Sequence, residues 1–259
     1  LTVSVICLKL LMEQGVIPSV VAGHSLGEYS ALVGAGVLKF EDALRLVHKR
    51  AYLMQSAIPL GRGKMAAVFG LSDEEVKSIC EEVSELGVAE SAAFNVSEQI
   101  VISGEAKAID KAVSLARERG ANGAVDLAVS IPCHCSLMKE AGERLKIELD
   151  KVTFYDPIIP IVGNTTAGFI ASGNTARMEL VDQLTKPVLW KDSIQRIIDF
   201  GVDTCIELGP GKVLSGLLKR INRGLKRLNV EDLVSLEKTL SEEVENVRNL
   251  SRANVFMGK

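Results

Sequence analysis

Gly23-His24-Ser25-Leu26-Gly27 fits the pattern G-x-S-x-G. That pattern does chemistry only where a strand enters it and a helix leaves it. The glycines then permit a strained turn that pushes the serine hydroxyl out over a sheet. Here the apolar run 18–22 reads as a buried strand, and 28–37 reads as a helix. The helix start would aim unpaired N–H groups and a positive dipole end at a reacting carbonyl. The backbone N–H of Leu26 is the natural oxyanion donor. For the pentapeptide alone, an ordinary glycine turn is the competing reading.

A serine nucleophile needs a base, and the chain has three histidines: His24, His48 and His134. His24 adjoins Ser25, so its side chain diverges from the hydroxyl and reads as structural. His48 borders a helix stripe and reads as a half-buried, satisfied histidine. His134 lies in Ser130-Ile131-Pro132-Cys133-His134-Cys135-Ser136, a strand-to-helix loop, where α/β folds place catalytic groups. A metal site at Cys133-His134-Cys135 is a poor alternative, because adjacent side chains converge badly on one ion and no second Cys/His cluster completes it. In the helix 40–57, Phe40, Leu44, Val47, Ala51 and Met54 form an apolar stripe, Arg45 and Lys49 lie opposite, and Arg50 flanks the stripe. A guanidinium at a core edge wants a carboxylate or phosphate to grip with two hydrogen bonds. On the wheel alone, a salt bridge to a neighbouring Glu or Asp is the simpler reading.

The elements that must position these groups follow an α/β order. A helix stopping at Gly15, the strand 18–22, the helix 28–37 and the helix 40–57 come first. From 64 to 130 the pattern is strand (65–70), helix (73–86), strand (91–95), strand (99–103), helix (107–119) and strand (124–129). That βαββαβ order is a ferredoxin-like signature, and Ser72 with Glu75 makes a capping box for its first helix. Beyond Pro132 come a helix, an apolar run 157–162, helices near 179–185 and 191–200, a strand 204–208 and a helix 213–220. The expected division is a large α/β domain of 1–60 and 131–229, a ferredoxin-like subdomain of 61–130, and a charged, peripheral, helical tail of 230–259.

The 259 residues carry 30 Lys and Arg against 33 Asp and Glu, a net charge of −3 that gives no electrostatic case for nucleic acid. Hydrophobic residues make up 47%, enough for a real core. Five cysteines without a C-x-x-C pair read as reduced thiols of a cytoplasmic protein, not as a metal or disulfide scaffold. No apolar stretch approaches the roughly 20 residues of a membrane span. The amino terminus shows no signal-peptide pattern, and its helical start reads as the interior of a fold.

Several blocks resemble the malonyl-CoA:acyl-carrier-protein transacylases of fatty-acid synthesis, relatives of polyketide acyltransferase domains. Gly23-His24-Ser25-Leu26-Gly27-Glu28-Tyr29-Ser30-Ala31-Leu32 is similar to the family's nucleophile motif. His48-Lys49-Arg50-Ala51-Tyr52-Leu53-Met54-Gln55 is similar to its arginine helix, and Pro132-Cys133-His134-Cys135-Ser136-Leu137-Met138 to its histidine loop. Gln183-Leu184-Thr185-Lys186-Pro187-Val188-Leu189-Trp190 and Glu207-Leu208-Gly209-Pro210-Gly211-Lys212-Val213-Leu214 match two later motifs. The blocks keep the family's order from the first helix to about Asn229. The family's opening strand and Gly-Gln-Gly-x-Gln loop, source of a second oxyanion donor, have no counterpart here. The stretch 241–259 matches no family block.

The resemblance implies that Ser25 is acylated, that His134 is its base, that Arg50 grips the malonyl carboxylate and that Gln183 lies near the histidine. It further implies a Ser–His pair whose imidazole is oriented by a main-chain carbonyl. The implied fold is an α/β-hydrolase-like large domain carrying the ferredoxin-like one, with the site in a cleft between them. Malonyl-CoA, CoA and acyl-carrier protein are the implied partners of a monomer with no cofactor or metal, no nucleic acid and no membrane. Two other readings compete: a serine hydrolase or thioesterase using the same elbow, and an inactive carrier-protein-binding remnant. A hydrolase of neutral esters has no use for the Arg50 cation.

Overall fold

A computed structural model describes residues 1–129, 131–248 and 253–258 of the chain. Ser130, at the start of the expected histidine loop, and 249–252 and 259, within the expected tail, lie outside the described residues. The first elements are α1 (Thr2–Glu13), β1 (Val20–Gly23), α2 (Gly27–Gly34), α3 (Phe40–Ala57), β2 (Gly63–Phe69) and α4 (Asp73–Glu82). Then follow β3 (Ala89–Val96), β4 (Gln99–Glu105), α5 (Ala106–Glu118), β5 (Gly123–Asp126), α6 (Lys139–Leu149) and β6 (Ile161–Val162). The last are α7 (Gly173–Asp182), α8 (Trp190–Asp199), β7 (Val202–Leu208), α9 (Val213–Ile221), β8 (Lys226–Val230), α10 (Leu233–Arg248) and β9 (Ala253–Gly258). The result is a mixed α/β fold with one parallel and one antiparallel sheet.

One compact unit comprises Leu1–Val47, Thr153–Arg177 and Asp192–Lys259. Its sheet runs β6-β1-β9-β7-β8, every neighbouring pair parallel. A parallel sheet covered on both faces needs apolar strands without alternation, and all four residues of β1 are buried. α2 packs on β1 and β9, and α1 on β7.

The segment expected to be a peripheral tail instead contributes the middle strand of this sheet. β9 lies between β1 and β7, with Val20↔Val255 and Cys205↔Val255 among its registers, and Val255, Phe256 and Met257 are buried. Its apolar run is short and follows the charged helix α10, so periodicity has too little to work on. β8 also escapes the sequence reading, because only Leu228 and Val230 of Lys226–Val230 are buried. The run 157–162 yields a strand of just Ile161–Val162, and the helix expected near 179–185 starts earlier, at Gly173.

The other unit comprises His48–Val152 and Met178–Lys191. Its antiparallel sheet runs β3-β4-β2-β5, with Ile79, Ile100, Ile102, Ile109 and Ala112 in the core it shares with α4 and α5. Ser72 and Glu75 form the expected capping box, satisfying two N–H groups at the start of α4. This unit is wider than 61–130, because further segments join the sheet. Ala93 bridges to Val188, and Gly63 packs so tightly on Pro132 that a Cβ there would lie 2.3 Å from the proline ring.

Candidate functional site

In the first unit, β1 runs into a sharp elbow and out through α2. The turn is tight enough that a Cβ on Gly23 would sit 2.0 Å from the Gly27 carbonyl carbon, which only glycine allows. Ser25 takes φ +52°, the left-handed region that costs a non-glycine residue about 1–3 kcal/mol unless its surroundings enforce it. Four of the five N–H groups from His24 to Glu28 are engaged. His24 donates to Gly258 O (3.3 Å), Gly27 to His24 O (2.9 Å) and Glu28 to Ser25 O (3.1 Å), while Ser25 donates to Asn164 Oδ1 (2.7 Å). Among the described residues, the Leu26 N–H makes no hydrogen bond, and it sits at the start of α2 where the helix dipole is positive. Ser25 and Leu26 are half-buried.

Two residues at this elbow escape the sequence reading. Asn164, 1% exposed, follows β6 and faces both sides of the turn. Glu28, fully buried, accepts the Asn164 N–H at 3.1 Å. A polar residue just past a buried apolar run was the available signal for Asn164, but loops after strands carry many such residues.

The second unit brings together Arg50, His134 and Gln183. On α3 the stripe expected from the sequence is rotated: Leu44 and Ala51 are exposed, whereas Ala43, Leu46, Arg50, Leu53 and Met54 are buried. Arg50 therefore sits within the buried face at helical spacing, not at its edge, and is 6% exposed. His48 is exposed, not half-buried. The Arg50 Nη2 donates to Gln183 Oε1 at 3.1 Å.

His134 is 5% exposed and takes φ +62°. Of the four described non-glycine residues with positive φ, two are the candidate nucleophile and the candidate base. Strain of this kind clusters where a side chain must be aimed. The His134 Nδ1 lies 2.6 Å from the Gln183 main-chain oxygen. A carbonyl only accepts, so Nδ1 carries the proton and Nε2 becomes the basic nitrogen. Gln183, itself fully buried, thus holds the guanidinium with its side chain and the imidazole with its backbone.

The thiols flanking His134 bond to their own loop: Cys133 Sγ to Ile131 O at 3.5 Å and Cys135 Sγ to Pro132 O at 3.2 Å. Burial pushes the Cys133 thiol up against the opposing pull of Arg50, and pushes Cys135 up to about 11. Cys80 and Cys205 are pushed up to about 12 by burial. Such thiols are protonated near neutrality and make poor rival nucleophiles. Among the described residues, no group of His, Cys, Asp and Glu could hold a metal ion, and no helix is long and apolar enough to cross a membrane.

Comparison with known proteins adds an independent line. The acyl transferase domain pattern matches residues 1–258. The malonyl CoA-acyl carrier protein transacylase of Bacillus subtilis (strain 168) is 45% identical over 250 residues, covering 95% of this chain and 79% of that protein. The crystal structure of an acyl-carrier-protein S-malonyltransferase from Burkholderia pseudomallei 1710b superposes with a TM-score of 0.90 at 44% identity, covering 93% of this chain and 78% of that one. A malonyl-transacylase solved in complex with a type II polyketide acyl-carrier protein gives a TM-score of 0.90 at 41% identity, covering 93% of this chain and 78% of that one.

Proposed function

Since this chain belongs to the acyl transferase domain family, we propose that it moves a malonyl group from malonyl-CoA to the phosphopantetheine thiol of acyl-carrier protein, in fatty-acid synthesis. It is an acyltransferase enzyme. The observation that carries the detailed reading is Gln183, whose side chain holds Arg50 while its backbone fixes the His134 tautomer. A cation for a substrate carboxylate and a base for a nucleophile are thereby referenced to one buried residue.

In the first half-reaction, Ser25 Oγ attacks the thioester carbonyl and its proton passes to His134 Nε2. The Leu26 N–H donates to the tetrahedral oxyanion, which matters because a preorganised donor acts where charge develops. The C–S bond then breaks and the departing CoA thiolate takes the proton, leaving a malonyl ester on Ser25. In the second half, the carrier thiol gives its proton to His134 and attacks the ester, and Ser25 recovers its proton as the C–O bond breaks. Arg50 pairs with the free malonyl carboxylate. An acetyl group has no carboxylate to pair with that cation and is disfavoured.

The architecture that accompanies this reading is an α/β-hydrolase-like domain with a ferredoxin-like subdomain at 61–130. The antiparallel order β3-β4-β2-β5, with α4 and α5 as its two helices, supports the second part. The enzyme works as a cytoplasmic monomer, without a cofactor of its own. The solved carrier-protein complex of a structural neighbour supports acyl-carrier protein as partner.

The test is to incubate the chain with malonyl-CoA with and without holo acyl-carrier protein. Malonyl appearing on the carrier in preference to free malonate is the expected result. Release of free malonate at the same rate in both arms would make the protein a hydrolase.

A further inference from the structure

The structure assigns a positioning role to Asn164: its carboxamide clamps the peptide groups on both sides of His24 and so holds the nucleophile elbow in its working shape. Oδ1 accepts the Ser25 N–H at 2.7 Å, and Nδ2 donates to Gly23 O at 2.7 Å. The amide orientation follows from these partners, since an N–H must meet the oxygen and a carbonyl must meet the NH₂.

The clamp continues the sheet by other means. β6 and β1 pair in parallel at Val21↔Ile161 and Ala22↔Val162. The β6 ladder ends at Ala22, and past Gly23 the chain turns into the elbow. A carboxamide offers one donor and one acceptor, as a peptide group does, on a side chain that can reach the turn. Asn164 supplies that peptide-like pair where the ladder ends.

The residue is itself held from two directions. Its own N–H donates to the buried Glu28 on α2 at 3.1 Å, and Ser193 Oγ donates to the preceding Gly163 O at 3.2 Å. A fully packed carboxamide tied at both ends resists rotation, so the strained φ of Ser25 cannot relax by turning the peptides beside it. The clamp also decides which N–H serves the oxyanion. Because the Ser25 N–H is committed to Asn164, the neighbouring Leu26 N–H is the one left to face a substrate oxygen.

This role rests on Ser25 being the nucleophile, and the test separates the two claims. Turnover and phosphonylation of Ser25 by a fluorophosphonate are measured for the wild-type chain and for Asn164→Ala. The fluorophosphonate needs the elbow but no malonyl group, CoA or carrier protein. Asn164→Ala is expected to slow kcat and phosphonylation in parallel by about 10- to 100-fold, the scale on which a slight misplacement of reacting groups acts. KM for malonyl-CoA should stay within about threefold, because the clamp does not touch substrate. Asn164→Asp keeps an acceptor for the Ser25 N–H but sets an oxygen against Gly23 O, and should fall between the two. If the alanine variant does not fold, Asn164→Asp carries the same comparison. A folded variant that labels and turns over like wild type overturns the clamp, as does a loss confined to KM. Failure of the wild-type chain to label at Ser25 overturns the nucleophile assignment and the clamp with it.

Discussion

Replacing Arg50 with alanine tests its proposed part in substrate choice while leaving Ser25 and His134, the proposed nucleophile and base, in place. Arg50 is 6% exposed and its Nη2 donates to Gln183 Oε1, so under the proposed role the substitution takes away the cation that would meet an entering malonyl carboxylate. Breaking a buried ion pair from one side costs about 3–5 kcal/mol, which at 1.4 kcal/mol per tenfold is about two to three and a half powers of ten in kcat/KM. Acetyl transfer involves no such pair. It should hold steady, because a neutral acyl group has no carboxylate for the guanidinium to grip. The Gln183 side chain loses a donor, but the main-chain oxygen that holds His134 is untouched. Labelled malonyl-CoA and acetyl-CoA, each assayed for transfer to holo acyl-carrier protein, give both values from one preparation. Equal loss for the two acyl groups would refute the carboxylate clamp and return Arg50 to a structural role.

Phe256→Asp places a carboxylate in the middle strand of the parallel sheet, where the native ring is 2% exposed. Urea titration should show a loss of about 4 kcal/mol or more, or no folded protein; native-like stability would mean that β9 does not occupy the centre. Ser72→Ala removes the capping box of α4 and should cost about 1 kcal/mol in the same titration while kcat stays unchanged. The Cys80 and Cys205 thiols, pushed up to about 12, and Cys135, pushed up to about 11, are neutral in the folded state. At pH 8 their thiolate fractions are about 10⁻⁴ and 10⁻³, so iodoacetamide should leave these three unmodified in the native chain and alkylate them in urea. Rapid native alkylation at any of them, read by peptide mass, would contradict the burial.

Much of the local structure was legible because it depends on nearby residues. The α3 bounds, the βαββαβ order and the Ser72–Glu75 box all follow from capping and periodicity within a few turns of chain. The elbow was legible as strand, glycine, serine, glycine, helix. What escaped depends on partners distant in sequence. β9 has three buried apolar residues after a charged helix, and only the pairing with β1 and β7 makes it a central strand. The α3 face was misjudged because Phe40 and Leu44 suggested a stripe that tertiary packing rotates towards Arg50, and a buried arginine breaks the rule by which such stripes are recognised. Asn164 was invisible for the same reason, since its two partners lie about 140 residues away in the chain. Gln183 was reached by family resemblance, and its backbone contact with His134 carries no side-chain signature at all.

Intact-mass measurement after brief exposure to malonyl-CoA, with no carrier protein present, bears most directly on the acyl-enzyme. One malonyl group should appear on the wild-type chain, map to the peptide bearing Ser25, and vanish in Ser25→Ala. A wild-type chain that gains no mass, or a gain that survives in Ser25→Ala, would contradict transfer through this serine.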